Sequence, residues 1–314
     1  MSEVCEYPFR VILPSSSDAN VPKRKVGLRP GKGWNKRNFL TQVFLPTLLA
    51  KCEGKPETVT FPPLKDNEIC ITWIGHASFL IQAGGLNILI DPNWASWLKV
   101  IKRIKHPGVH LHDLPDIDLV LVTHAHFDHL DRRSLKAVAR DQPIVVPFEV
   151  GNLVHDLGFN KVHELHYWEK MVHGSVEISL TPCHHWGARI LHDSHRGFGG
   201  FHIKVGGRSI FHCGDTAYFD GFSEIGQRCP VEIALLPIGA YDPPSGREVH
   251  MNPEEAVRAF QELGAQTLIP MHYGSFRLSY EPVHEPPERL LTEASRMGIA
   301  EKICIMREGQ PMVF

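Results

Sequence analysis

His124, His126, Asp128 and His129 place three imidazoles and a carboxylate within one six-residue run, His124-Ala125-His126-Phe127-Asp128-His129. The run directly follows the nearly continuous apolar stretch 117–123, which reads as a strand covered on both faces. Nitrogen and carboxylate donors without thiolates suit Zn²⁺ first, with Mn²⁺ or Fe as alternatives. Alternate residues leaving a strand point to one side, so His124 and His126 can face one ion. Asp128 and His129, past the turn, can face a second. Two cations close together acidify a water between them and clamp both oxygens of a displacement, which is hydrolytic chemistry. The competing reading is a histidine-rich surface loop. Four donors at this spacing after a buried strand weigh against it.

A two-ion site needs more donors, and the later sequence offers them where strands give way to loops. His184-His185-Trp186 follows the strand-like run 176–181, Asp215 follows 209–212, and His272 follows 267–270. A carboxylate such as Asp215 can bridge two cations. Each is weak alone, since a single histidine after a strand is more often a satisfied structural residue. Together with the first run they make seven donors, more than the four of a closed structural zinc.

The elements that must position these donors are strands in groups with helices coming late. Runs 70–74, 78–82 and 86–90 are short and β-rich, separated by Gly75-His76 and Gly84-Gly85. Runs 144–146, 176–181, 200–205, 209–212, 233–237, 267–270 and 303–306 are further strands, and 132–140 and 285–297 read as helices. Asn252-Pro253-Glu254-Glu255 is a helix start, with a cap, a proline at the first position and the acid of a capping box. This pattern fits a layered α/β arrangement rather than simple βαβ alternation. Residues 1–68 read as an extended N-terminal arm rich in Pro, Gly, Ser and Lys, packing on a domain of residues 69–314. Its apolar patch 39–49 is expected to be a short helix on that domain.

Composition narrows the class. The chain has 314 residues, enough for a substantial core, and a net charge of -2 that gives no field for nucleic acid. Seven cysteines, an odd number with no Cys-x-x-Cys pair, argue for free thiols in a reducing compartment. Residues 1–10 make a poor signal peptide and no run is long enough to span a membrane. The expected location is cytoplasmic, with room for membrane association and for an oligomer.

Several segments together resemble the metallo-β-lactamase superfamily, and within it N-acylphosphatidylethanolamine-hydrolysing phospholipase D and its bacterial relatives. They are Trp73-Ile74-Gly75-His76-Ala77-Ser78, Ile90-Asp91-Pro92, the 123–131 segment, Thr181-Pro182-x-x-His185-Trp186, Gly214-Asp215-Thr216, Pro237-Ile238-Gly239-Ala240-Tyr241, Met251-Asn252-Pro253-Glu254-Glu255-Ala256 and His272-Tyr273-Gly274-Ser275-Phe276. The resemblance implies an αββα four-layer sandwich carrying two divalent metal ions. It implies one ion on His124, His126 and His185, a second on Asp128, His129 and His272, and Asp215 between them. His185 is preferred to His184 because it precedes Trp186. Asp91 would accept a hydrogen bond from a ligand histidine. Asp128 would also act in catalysis, and His250, before Met251-Asn252-Pro253, would join it at the substrate. Tyr241 and Tyr273 are expected substrate contacts.

The segment 191–200 departs from the aromatic-rich segment of the relatives and brings His192 and His195 as further candidates to line a cleft. The loop 243–247 is also particular to this chain. The expected reaction is phosphodiester hydrolysis, of a small molecule or of a phospholipid head group. Trp94, Trp97, Leu98, Ile101 and Ile104 fall at helical spacing among Lys99, Lys102, Arg103 and Lys105, which would suit a basic amphipathic helix on a membrane surface. A lactonase or sugar-phosphate hydrolase is the rival enzyme, because specificity lives in loops while the metal site is shared. A metal-binding sensor or scaffold without turnover is the rival of another class.

Overall fold

The computed structural model describes residues 38–56, 58–190 and 193–314. Strands are numbered along the chain. One sheet of seven runs β15 (Pro311–Val313), β1 (Ile69–Gly75), β2 (Ser78–Ala83), β3 (Leu86–Ile90), β6 (Leu119–Leu121), β7 (Pro143–Pro147), β8 (Lys161–Leu165). A second, of six, runs β14 (Thr267–Met271), β13 (Ile233–Pro237), β12 (Arg208–His212), β11 (Gly200–Val205), β10 (Val176–Thr181), β9 (Lys170–His173). The helices are α1 (Leu45–Leu49), α2 (Arg132–Val138), α3 (Phe222–Arg228), α4 (Pro253–Leu263) and α5 (Glu285–Arg296).

Side-chain alternation explains why the strands read as unbroken apolar runs. Ile88, Ile90, Leu119 and Leu121 enter the core between the sheets with Ile178, Phe201, Ile203 and Phe211. Their neighbours Leu89, Val120 and Val122 enter a second core under α2 with Leu135 and Val138. Both faces of the seven-stranded sheet are therefore buried, so period-2 polarity is absent. Helices α4 and α5 put Ala256, Phe260, Leu263, Leu290 and Ala294 into the core on the outer face of the other sheet. The layers are thus helix, sheet, sheet, helix, the αββα sandwich. Burying one phenylalanine such as Phe211 contributes about 1.5–3 kcal/mol.

Local chemistry sets the element ends. The Asn252 side chain accepts from Glu255 N and the Glu255 carboxylate accepts from Asn252 N, closing a capping box. Gly264 ends α4 at φ 66°.

Two expectations change, and a third holds with a different helical geometry. Residues 94–105 form no helix; β4 (Trp97–Leu98) and β5 (Ile101–Lys102) pair as a hairpin with Lys99 at φ 55° in its turn. Tertiary bonds override the helical spacing: Trp94 Nε1 donates to Val109 O, and buried Arg103 donates to Asn93 O and Ala95 O. Residues 303–306 contribute a single bridge, Ile303 to Leu268, and β15 forms instead beside β1. The 39–49 patch is helical and packed, with Val43 and Thr47 buried, but its first turns are π-helical over Leu40–Phe44. Lys102 Nζ ties its end to the hairpin through Leu48 O and Ala50 O. The arm residues 1–37 and Glu57, with their Ser- and Pro-rich stretches, lie outside the described residues.

Candidate metal centre

The donors sit where strands end or turn, at one edge of the sandwich. His76 is in the β1–β2 turn, Asp91 follows β3, 124–129 follows β6, His185 follows β10, Asp215 follows β12, and His272 follows β14. Three of them hold left-handed backbone: His76 at φ 56°, Asp91 at φ 45° and His272 at φ 62°. Such residues cost about 1–3 kcal/mol each and persist where the surroundings over-determine them, as at functional sites. Gly214, at φ 65°, must be glycine, because a Cβ there would stand 2.8 Å from Gly199 O. That close approach delivers Asp215 to the centre.

All seven donors converge. His124 Nε2 and His126 Nδ1 are 2.9 Å apart, and His185 Nε2 is 3.2 Å from His126 Nδ1. Asp215 Oδ2 lies 3.9 Å from both His124 Nε2 and His185 Nε2. The same oxygen lies 3.2 Å from His129 Nε2 and 3.0 Å from His272 Nε2. Asp128 Oδ2 is 3.4 Å from His272 Nε2 and 3.8 Å from His129 Nε2. Ligands on one tetrahedral zinc stand about 3.3 Å apart, so these separations suit metal coordination, and Asp215 belongs to two of the candidate ligand groups.

The donor atoms themselves support cations. His129 Nε2, His272 Nε2 and both Asp215 oxygens are buried with no hydrogen-bond partner among the described residues. Burial without a partner costs about 1–3 kcal/mol per group, which an ion would offset. Burial drives the His124 and His250 imidazoles well down, His126 to about 3 and His185 to about 4, so they are neutral and carry free lone pairs. Burial opposes ionisation of Asp128 and Asp215, but His129, with His272, outweighs it and holds both well below the usual carboxylate range. Burial lowers His272 and His129, and the Asp215 carboxylate outweighs it, carrying His272 up to about 9 and His129 well above its ordinary value.

A shell of acceptors fixes the rings. Asp91 Oδ2 meets His129 Nδ1 at 2.6 Å and the Thr123 hydroxyl at 2.6 Å, while Oδ1 accepts from Thr123 N. The Thr123 oxygen in turn lies 3.0 Å from His124 Nδ1. One carboxylate therefore orients two ligand histidines, leaving each Nε2 to the centre. Val249 O does the same for His185 through Nδ1 at 2.9 Å. Asn93 Nδ2 donates to Phe127 O and Asp128 O, pinning the ligand loop.

His250 stands in the same cage, with Nδ1 3.8 Å from Asp215 Oδ2. His184 is exposed, and its inward bonds are made by its backbone: its N donates to Thr216 Oγ1 and its O accepts from Ala217 N. Tyr241 does not offer its hydroxyl to the centre, because it is buried and bonded to Glu285 Oε1 at 2.6 Å. Tyr273 packs at a tilt on Trp73, ring centroids 5.0 Å apart, and lines a cavity of about 800 Å³ whose walls include none of the seven donors, and with His272 it lines a smaller second one. The left-handed turn at His272 sends these neighbouring side chains to different places. His195 is exposed and His192 lies outside the described residues.

Sequence reasoning missed His76. Its Nε2 lies 3.0 Å from Asp128 Oδ2, and it groups with Asp128, His129 and His272. Its signals were its place after a strand end, like the other donors, and its position within the 73–78 segment of the family resemblance.

Residues 86–273 match the family model described as beta-lactamase superfamily domain. An uncharacterised protein of Mycobacterium tuberculosis is 33% identical over 73% of this chain, which spans only 64% of that relative's length. The N-acyl-phosphatidylethanolamine-hydrolyzing phospholipase D 1 of Caenorhabditis elegans is 32% identical over 71% of this chain and 68% of its own. A solved metallo hydrolase from Ignicoccus hospitalis superposes with a TM-score of 0.61 at 25% identity, over 79% of this chain and 99% of its own.

Proposed function

The chain belongs to the beta-lactamase superfamily, and from that premise we propose that it is a metal-dependent hydrolase, a two-cation phosphodiesterase acting on phospholipid head groups of the N-acylphosphatidylethanolamine type. The observation that carries the two-cation reading is Asp215 Oδ2, within 3.9 Å of His124, His129, His185 and His272 at once. His124, His126 and His185 would hold one cation, Asp128, His129 and His272 the other, with Asp215 shared. Zn²⁺ suits the all-nitrogen-and-oxygen donor set. When bound, the cations supply Lewis acidity toward a phosphoryl oxygen and lower the pKa of a water.

The chain's own residues do the rest. Asp128, whose side chain is 13% exposed, reaches both the centre and the open side and can steer an attacking water. His250 brings a neutral imidazole with an unpartnered Nδ1 beside Asp215, placed to contact a substrate oxygen. Phe127 of the ligand loop is flanked by Arg189 at 4.1 Å and by Lys99 of the hairpin turn at 4.4 Å, so cations stand near the mouth. Trp186, exposed, packs 4.4 Å from His126. Together with exposed Trp97 and Val100 this apolar rim suits a lipid substrate drawn from a surface. The likeness to the nematode phospholipase D supports the same substrate class.

The test is a substrate panel on zinc-reconstituted protein: a chromogenic phosphodiester, N-acylphosphatidylethanolamine in vesicles, and a lactone. Phosphodiester and phospholipid cleavage is expected. Turnover of the lactone with neither phosphodiester cleaved overturns the proposal.

A further inference from the structure

His76 is 1% exposed and makes a single side-chain hydrogen bond, from Nε2 to Asp128 Oδ2 at 3.0 Å. A carboxylate only accepts, so Nε2 carries the proton and Nδ1 is a bare acceptor. That Nδ1 is buried with no partner among the described residues. An apolar side chain would fill this space without stranding a polar atom, so packing alone does not account for an imidazole here. The backbone around it is committed as well. His76 holds φ 56° in the tight turn between β1 and β2, and its carbonyl accepts from both Trp73 Nε1 at 2.9 Å and His272 N at 3.0 Å. The ring packs 4.1 Å from His272 and edge-on to Phe276 at 5.3 Å. The backbone is thus tied on two sides and the ring is packed against two others.

We propose that His76 is a positioning residue for the second cation: its Nε2–H fixes Asp128 Oδ2 toward His129 and His272, which leaves Oδ1 for the open side of the site. The proposal rests on the two-cation reading and adds a residue to it. Without the hydrogen bond, Asp128 can rotate about its terminal torsion and the second site loses a preset donor. The first site, built on His124, His126 and His185, contains no atom that touches His76.

The experiment titrates metal-free protein with Co²⁺, reading visible absorption and bound metal by elemental analysis, with circular dichroism to check the fold. The wild-type chain is expected to take up two ions. His76→Leu should bind the first ion as wild type and the second about 10- to 100-fold more weakly, the usual size of an outer-contact loss. His76→Gln, whose amide can donate from nearly the Nε2 position, should restore the second site. His76→Asn, too short to reach, should behave like the leucine variant and replaces it if that variant does not fold. On an Asp128→Asn background the leucine change should add little, because the two act through one bond. Unchanged second-site affinity and spectrum in the leucine or asparagine variant overturns the proposal. So does a folded glutamine variant that restores nothing. A wild-type chain that binds one ion only overturns it together with the two-cation reading. Two ions bound without phosphodiester cleavage leave it standing and remove only the substrate reading.

Discussion

Asp91 Oδ2 lies 2.6 Å from His129 Nδ1, with both side chains fully buried. The contact points His129 Nε2 at Asp215 and, through Thr123, steadies His124 as well. One residue outside the seven donors thus orients both His129 and His124. Asp91→Asn keeps the volume but turns an amide donor toward groups that themselves donate to Asp91. Metal affinity should fall about 10- to 100-fold, read by equilibrium dialysis with elemental analysis. A variant that retains both ions at wild-type affinity would show that Asp91 serves the fold alone.

Asp215 reaches both halves, so its loss should not act like the loss of one ligand. Asp215→Ala is expected to release one ion outright and weaken the other, with kcat down by at least about 10²–10³ if hydrolysis depends on cation-held charge. His126→Ala should empty only the half that contains His124 and His185. An Asp215→Ala variant that holds its remaining ion at wild-type affinity, as His126→Ala is expected to, would contradict a shared carboxylate.

The metal-free chain should have a narrow stability optimum. His126 falls to about 3 and His185 to about 4 in the folded state through burial, against an ordinary 6.5. Between 6.5 and those values the unfolded chain takes protons that the folded chain refuses. Stability is therefore lost as pH drops below 6.5, by about 1.4 kcal/mol per pH unit per group. His272 goes the other way. Burial lowers it, but Asp215 and Asp128 carry it up to about 9. Its contribution is complete below 6.5 and disappears as pH rises toward 9. Melting temperature of chelated protein should thus peak near 6.5 and fall on both sides. Zinc-loaded protein should lose the alkaline fall, since the cation replaces the proton on His272. A chelated protein whose melting temperature climbs steadily to pH 9 would rule this out.

Much of this centre was legible because its signals are local. The 124–129 run needs no tertiary knowledge: donor types, spacing and the preceding strand are all in sequence. The same holds for Asn252 and Glu255, whose capping box forms within four residues. His185, Asp215 and His272 were readable by a shared rule, that donors collect at strand ends. His76 obeyed the rule but stood alone in a glycine turn, with nothing beside it to mark a ligand. Tyr273 packs on Trp73, because the left-handed His272 turns the chain between the two side chains. The 94–105 stretch failed for a different reason. Its helical spacing is real, but Trp94 and Arg103 find backbone partners on neighbouring segments, and those bonds outweigh a marginal single helix.

That hairpin still bears on the substrate. No helix among the described residues is long and apolar enough to cross a membrane. Trp97 is 47% exposed and Val100 62% exposed, on either side of Lys99. Lys99 Nζ stands 4.4 Å from the Phe127 ring in the ligand loop, so a lipid surface met by the hairpin would lie beside the centre. Leu98, by contrast, is buried and anchors the hairpin to the domain. Trp97→Ser with Val100→Ser should therefore leave the melting temperature nearly unchanged, because neither side chain is packed. Co-sedimentation with anionic vesicles should drop several-fold, given about 25 cal/mol for each Å² of apolar surface removed from water. Hydrolysis of a soluble phosphodiester should be unaffected while hydrolysis of vesicle-borne phospholipid falls. Equal loss on both substrates would place the hairpin in the catalytic geometry, and no loss on either would remove the membrane from the account.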